Sequence, residues 1–409
     1  MKILFFATYP NIATGYSRIG NILTNYLAEQ GHEVYYFGIS NFKINTIDRY
    51  IHPNIQLIDG LEEENKLGTG ELFGVNSICD CLEKINPDIL FLYNDLIVIS
   101  RIFNNFFARK ISRNFKIFTY LDLVYPYEKI ELIKHVDSYS DVILVFSDCW
   151  KENLISMGIK ETKIKILYHG FDSNKFFKID NTDAKKYFGF DSSDFIILNT
   201  NRNSYRKAID KTIEAFIKFL KLKNNNPKIK LFLNMDIDES NIKLSCDVKN
   251  QVKILCLENN LNSQDILNNH IFIGKNSKFT DQELNKLYNA CDVGINTCIG
   301  EGFGLCNLEH GGIGKPQIVS NVGGLGDIFK HDYSFPVNPT ERLYVGNEID
   351  SHGGYLELCP VSEFVNGLNL YFENKDLQKE HEKKLIQVIK EKYNWDNILN
   401  ELGEFIINF

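Results

Sequence analysis

Residues 298–326 read CIGEGFGLCNLEHGGIGKPQIVSNVGGLG. Two carboxylates, Glu301 and Glu309, stand with seven residues between them across a glycine-rich turn. Apolar residues then build a short helix that ends at Gly314, Lys315 and Pro316. A helix start leaves backbone N–H groups unpaired, and with the helix dipole they favour an anion such as phosphate. Gly302 and Gly304 lack a Cβ and let the backbone approach a ligand closely. Glu309, inside the helix, is suited to accept paired hydrogen bonds from a vicinal diol such as a ribose. The same letters also fit an ordinary strand–turn–helix with two surface glutamates, so the neighbouring segments decide.

The chain has 409 residues, enough for two or three domains with cores of their own. Its 44% hydrophobic content, rich in Phe and Tyr, fits globular α/β material. A net charge of -8 argues against a general nucleic-acid binder. Nine scattered cysteines read as reduced thiols of a cytoplasmic protein, and Cys79 with Cys81 has no second pair at zinc spacing. KILFFA (2–7) is too short for a signal peptide and reads as a first buried strand. No apolar run approaches the ~18 residues that span a bilayer.

In the first half, KILFFAT leads through NIATGYS into a helix with Ile19, Ile22, Leu23, Tyr26 and Leu27 on one face. HEVYYFGI, PDILFLYND (87–95) and FKIFTYLDL (115–123) read as further strands of a parallel, doubly wound sheet. The first loop sits at the carboxyl edge, where such sheets bind ligands. Only Gly15 is available there, which excludes the G-x-G-x-x-G of a nicotinamide enzyme; by itself Gly15 is a plain turn glycine. Arg101, Arg109, Lys110, Arg113 and Lys116 punctuate an aromatic stretch, either a core helix with a solvated face or a peripheral contact for anionic lipid. Asp122 ends its strand either as a general base for an acceptor hydroxyl or as the cap of the next helix. Ser147 or Asp148 caps the helix after DVILVF.

A polar stretch places the hinge near 175–192. DFIILNTNRNSYRKAIDKTIEAFIKFL then opens a second doubly wound domain. Arg202, Arg206 and Lys207 crowd the start of its helix, where the dipole already places positive charge, so a multiply charged anion among them is expected. Asp236 and Asp238 form a D-x-D read as a turn, and Thr280 or Asp281 caps the helix after HIFIGKN.

LNKLYNACDVGINTCIGEGFGLCNLEHGGIGKPQIVSNVGG (284–324) resembles the nucleotide-sugar half of retaining glycosyltransferases with the GT-B fold, in particular the "group one" family with an acidic pair at this separation. The resemblance runs from MKILFFATYP to YNWDNILNEL and is thinnest at 40–80 and 235–265. It implies two doubly wound Rossmann-like domains facing each other across a deep cleft. Residues 1–180 with a returning helix at 391–409 would form the acceptor side, and 181–390 the nucleotide-sugar side. It assigns Gly15, Arg202, Lys207 and the backbone of Gly302, Phe303, Gly304 and Leu305 to the donor, with Glu309 on the ribose. Glu301 would position the sugar or support the cationic transition state, and Asp122 would serve the acceptor. Leu121 stands where many relatives have a histidine that contacts the donor sugar. His169 falls where relatives have a structural turn and is not nominated, and Arg206 carries no family role and is expected to face solvent.

The implied reaction moves a hexose from a UDP- or GDP-sugar to a hydroxyl of a glycan, lipid or protein, with retention and without a metal or other cofactor. The competing readings are an inactive GT-B module that binds nucleotide, a DNA-modifying glucosyltransferase, and an NAD-dependent sugar-nucleotide enzyme.

Overall fold

The computed structural model describes residues 1–43, 47–237, 245–274, 279–346 and 352–408. The chain divides into two compact units. One comprises Met1–His169, Tyr344–Tyr355 and Asp396–Phe409, and the other Gly170–Leu343 and Leu356–Trp395.

The first unit is built on seven parallel strands: β1 (Lys2–Thr8), β2 (Glu33–Ile39), β3 (Ile55–Asp59), β4 (Ile89–Asp95), β5 (Lys116–Asp122), β6 (Val142–Val145) and β7 (Ile164–Ile166). Their order is β3-β2-β1-β4-β5-β6-β7, with the direction of winding reversing between β1 and β4. Ile3 to Ala7 have no exposed surface, as expected for a strand covered on both faces. Aromatic rings fill this core: Phe5 stacks on Phe91 at 4.7 Å and Tyr93 on Tyr120 at 4.8 Å. Helix Gly15–Glu29 starts at Thr14, whose side chain closes a capping box with Ser17. Its buried face is centred on Ile19, Leu23, Thr24 and Leu27; Ile22 and Tyr26 flank it. The final helix, Trp395–Ile407, joins this unit from Asp396 onward. There Gly403 lies so close to Tyr26 that a Cβ would sit 2.6 Å from the phenol oxygen.

The second unit holds β8 (Phe195–Asn199), β9 (Ile229–Asn234), β10 (Ile271–Gly274), β11 (Val293–Asn296), β12 (Gln317–Ser320) and β13 (Phe335–Val337). All are parallel in the order β10-β9-β8-β11-β12-β13, so this sheet also reverses beside its first strand. Both units are doubly wound α/β domains, as the alternation of apolar runs and amphipathic segments implies. Among the described residues no helix is long and apolar enough to cross a membrane.

The chain changes unit before residue 180. The amides of Phe177 and Ile179 donate to the side chains of Asn285 (3.0 Å) and Asn289 (2.9 Å), which ties 170–180 into the second unit. The segment Tyr344–Tyr355 belongs to the first unit, although it lies inside the stretch expected for the second. Backbone bonds decide this: Tyr355 N donates to the Pro126 carbonyl at 2.9 Å. A two-stranded ribbon, β14 (Glu341–Tyr344) with β15 (Tyr355–Leu358), carries the excursion.

Of the alternative helix caps, Ser147 and Thr280 are the ones used. Ser147 accepts from Trp150 N, and Thr280 forms a reciprocal box with Glu283. Thr280→Ala should therefore cost about 1 kcal/mol in urea unfolding, whereas the exposed Asp281→Ala should cost at most about half that.

Candidate functional site

In a doubly wound sheet ligands settle outside the carboxyl ends of the strands where the winding reverses. In the second unit that point lies beyond β8 and β11. The loop after β8 forms a single tight turn at Tyr205–Lys207, and Ala208 follows at φ +45° before helix Ile209–Leu222 begins. The loop after β11 carries Glu301. Several bonds lock these loops together. Thr297 Oγ1 donates to the Ala208 carbonyl (2.9 Å) and lies 2.7 Å from Thr212 Oγ1, while Ile299 N donates to the Arg206 carbonyl (2.9 Å).

Onto this frame Lys207 Nζ donates directly to Glu301 Oε2. Arg206 Nη1 donates to the Gly300 carbonyl at 2.8 Å and lies 3.4 Å from Glu301 Oε1. Glu301 is only 6% exposed. Burial pushes its carboxyl up, but Lys207 and Arg206 outweigh that and bring it down to about 2. Two sequence expectations change here. Arg206 and Lys207 sit just before the helix, at its N-terminal end, and the anion they meet is the protein's own Glu301. Arg206, expected in solvent, grips the same carboxylate, whereas Arg202 is exposed and forms no ion pair among the described residues.

Helix Leu305–Gly312 follows the acidic turn. Gly304 precedes it at φ +92°, a conformation that strains any residue with a Cβ, and a Cβ there would meet Leu325 Cδ2 at 2.4 Å. The need for glycine at 304 thus comes from the protein's own packing. Asn307 N bonds back to the Gly304 carbonyl (3.1 Å), and the amides of Leu305 and Cys306 have no partner among the described residues. Glu309 is buried and accepts from the Tyr288 hydroxyl at 2.8 Å. Behind the helix runs a polar chain that the sequence reading missed. Asn296 donates to Asn307 (2.8 Å), Asn307 to Gln317 (2.8 Å), and the Gln317 amide meets His310 Nδ1 (3.1 Å). His310 Nε2 reaches the Tyr288 carbonyl (3.1 Å), so the ring carries its proton there. Burial, then Lys315, lowers its pKa to about 3 and keeps it neutral. The available signal was polar residues inside otherwise apolar strand and helix positions.

In the first unit Gly15 opens its helix and is exposed, while the next residue, Tyr16, donates its hydroxyl to Asp95 Oδ1. Asp95 and Asp122 are partners in register at the ends of β4 and β5. Burial, then Asp122 and Asp95, holds the Tyr16 phenol well above its ordinary pKa. The cap reading of Asp122 fails: the next helix, Ile130–Tyr139, begins after Lys129 and has no side-chain cap. Leu121 is a core residue. His169, buried against Tyr93, Tyr120 and Phe146, is lowered by burial to about 3. Asp236 follows β9, and Asp238 lies outside the described residues. Most charge of the 101–116 stretch is spent locally: Arg101 pairs with Glu71, Arg109 with Asp80, and Arg113 and Lys116 with Asp141.

Because Glu301 titrates lower folded than unfolded, its contribution is present above about pH 4.5 and lost as pH falls towards 2. That difference corresponds to about 3 kcal/mol. Lys207→Met should destabilise by about 3–5 kcal/mol at pH 7 and flatten the acid limb of a urea-stability profile; adding Glu301→Gln should restore much of the loss.

Residues 180–344 match the family model described as glycosyl transferases group 1. An uncharacterised glycosyltransferase of Methanocaldococcus jannaschii is 26% identical over 283 residues, covering 66% of this chain and 61% of that relative, so the match spans about three fifths of its length. The N-acetyl-alpha-D-glucosaminyl L-malate synthase of Bacillus anthracis is 24% identical over 350 residues, 79% of this chain and 80% of its own. The structure of Anabaena HepE in complex with UDP and glucose superposes with a TM-score of 0.71 at 16% identity, covering 100% of both chains. That likeness establishes the fold as GT-B. Residues 180–344, which hold the buried Lys207–Glu301 pair and the helix behind it, are thus the part of the chain that matches the glycosyl transferases group 1 model.

Proposed function

We propose that the chain is a retaining glycosyltransferase that moves a hexose from a UDP- or GDP-sugar to an acceptor hydroxyl without a metal ion. The observation that carries this reading is the buried Lys207–Glu301 pair, with Arg206 beside it, at the ligand edge of the second sheet. The family match supports it, as do the B. anthracis relative named for a glucosaminyl product and HepE with UDP and glucose.

Much of the barrier to sugar transfer is the charge that develops on the departing diphosphate. Lys207, Arg202 and the two open amides of Leu305 and Cys306 supply donors for that charge. A diphosphate arriving beside Lys207 would take over as its anionic partner and leave Glu301 to the sugar. Held near a pKa of about 2, Glu301 is ionised at neutral pH and cannot donate a proton. It orients sugar hydroxyls and stabilises the positive charge of the transition state. Glu309, fixed by Tyr288, takes the ribose diol. Asp122 receives the acceptor proton. Gly15 and the backbone of Gly302, Phe303 and Gly304 complete the donor contacts. Retention is assigned to front-face departure and attack, with Glu301 orienting the sugar and stabilising its positive charge and not attacking the anomeric carbon.

Residence in a reducing compartment belongs to the same proposal, and all nine cysteines are free thiols. Of the two acceptor-side alternatives, DNA and a lipid surface, neither is favoured by the 101–116 stretch, where four of five cations are ion-paired.

A thermal-shift screen with UDP, GDP and their sugars tests donor binding. One of these nucleotides should stabilise the protein, and Glu309→Ala and Arg202→Ala should weaken the shift; the exposed Arg202→Ala should leave the unliganded midpoint unchanged. Glu301→Gln should keep nucleotide binding but slow sugar transfer from a radiolabelled donor by about 10²–10³, and EDTA should not affect the wild-type rate. Nucleotide stabilisation with no sugar release to any acceptor or to water would identify an inactive module instead.

A further inference from the structure

The loop after β5 begins one residue beyond Asp122 and carries a second feature. Glu128, 1% exposed, turns its carboxylate inward and accepts from the amides of Val124 (2.7 Å) and Tyr125 (3.3 Å). That buried acceptor ties the start of the loop to its end, and Tyr127, the residue just before it, stays exposed. The excursion Tyr344–Tyr355 is stitched to it within the same unit. Tyr355 N donates to the Pro126 carbonyl, Val345 N donates to the Gly354 carbonyl at 2.9 Å, and His352 Nδ1 lies 3.6 Å from Glu128. Gly354, at φ +96°, comes so near Pro126 that a Cβ would sit 2.7 Å from its carbonyl oxygen.

The result is a set of three open tyrosines: Tyr127 is 39% exposed, Tyr344 61% and Tyr355 36%. Tyr355 is the middle ring. It meets Tyr127 edge-on at 6.2 Å and 89°, and Tyr344 at 5.6 Å and 76°. Each edge-to-face contact sets the rim of one ring against the face of the next, which fixes the three rings relative to one another while each stays at least 36% exposed. Tyr127 also holds φ +57°, an outlier for a bulky side chain that only a well-determined turn sustains. Three large apolar rings held in water, one of them at a backbone cost, mark a binding surface and not a filled core.

We propose that Tyr127, Tyr344 and Tyr355 form an aromatic platform that binds a carbohydrate chain, so that the acceptor is a glycan. A pyranose presents a C–H face that packs on an aromatic ring and a rim of hydroxyls that bonds to phenol oxygens. Tyrosine offers both at low entropic cost. All three side chains are uncharged, which suits a neutral chain, and none supplies a cation for a lipid phosphate. The platform lies on the loop that leaves the ligand edge of the first sheet directly after Asp122, where an acceptor for the proposed reaction is handled. The inference rests on the transferase reading but is tested without a donor.

The test is affinity electrophoresis of the whole protein in gels containing dextran, mannan or soluble starch, with titration of chitohexaose and maltoheptaose by calorimetry. At least one of these glycans should retard or bind the wild type. Tyr355→Ala and Tyr344→Ala should each weaken that binding about tenfold, while Tyr355→Phe, which keeps the ring, should stay within about threefold. The thermal shift with the stabilising nucleotide and the unliganded midpoint should be unchanged in all three variants, which separates a lost platform from a damaged fold or donor site. The proposal is overturned if no glycan binds the wild type, if the alanine variants bind as well as wild type, or if the tyrosines prove to be needed for phosphatidylglycerol vesicles instead. A protein that binds glycan through these rings yet transfers no sugar would refute the transferase reading and leave the platform standing.

Discussion

The candidate site depends on one charge pair taken out of water. A carboxylate as buried as Glu301 is tolerable only beside cations, and Lys207 and Arg206 supply them from a loop far away in sequence. The pair joins the ends of β8 and β11, the two strands between which the winding reverses. It holds the donor-side loops in a single arrangement and keeps Lys207 in place with its charge satisfied. In the proposed reaction an incoming diphosphate would replace one anion by another at a preset cation, which avoids much of the ordering a flexible lysine would require.

The helix that carries Glu309 is set with similar care. Its eight residues are too few to be stable alone. Packing and the buried chain Asn296–Asn307–Gln317–His310 fix its rotation and depth. Every member has a partner, so the chain specifies one alignment without leaving an uncompensated polar group. A neutral His310 is part of that logic, since one ring nitrogen accepts from Gln317 and the other donates to the Tyr288 carbonyl. Tyr288 in turn holds Glu309, which links the alignment of the helix to the carboxylate it presents.

The first unit shows the same division of labour between a stiff sheet and the loops at its carboxyl edge. Parallel strands packed with Phe and Tyr hold the ends of β4 and β5 in register, which sets Asp95 beside Asp122 and draws Tyr16 to them. The next loop is shaped from within by Glu128, and a segment some 220 residues later in the chain completes it. Surface features here rest on buried contacts: the turn that carries the exposed Tyr127 is bonded from within by Glu128.

Parallel sheets leave a strong trace in sequence. Runs such as KILFFAT and FKIFTYLDL are apolar on both faces, and the helices between them are amphipathic, so both doubly wound sheets could be read without coordinates. The edge strand β3 could not, because it is half-exposed and lies in the stretch with the least pattern. The acidic pair at 301 and 309 and the cations at 202–207 were legible because their spacing and local charge are unusual. Which cation meets Glu301 was not legible, for one turn of backbone at Tyr205–Lys207 decides whether Arg206 points outward or onto the carboxylate. Sequence alone determined the alternation of elements and the residues that could handle a phosphate. Tertiary structure decided which of them touch, where the chain crosses from one unit to the other, and which tyrosines remain open, because those outcomes depend on contacts between segments about one hundred to two hundred residues apart.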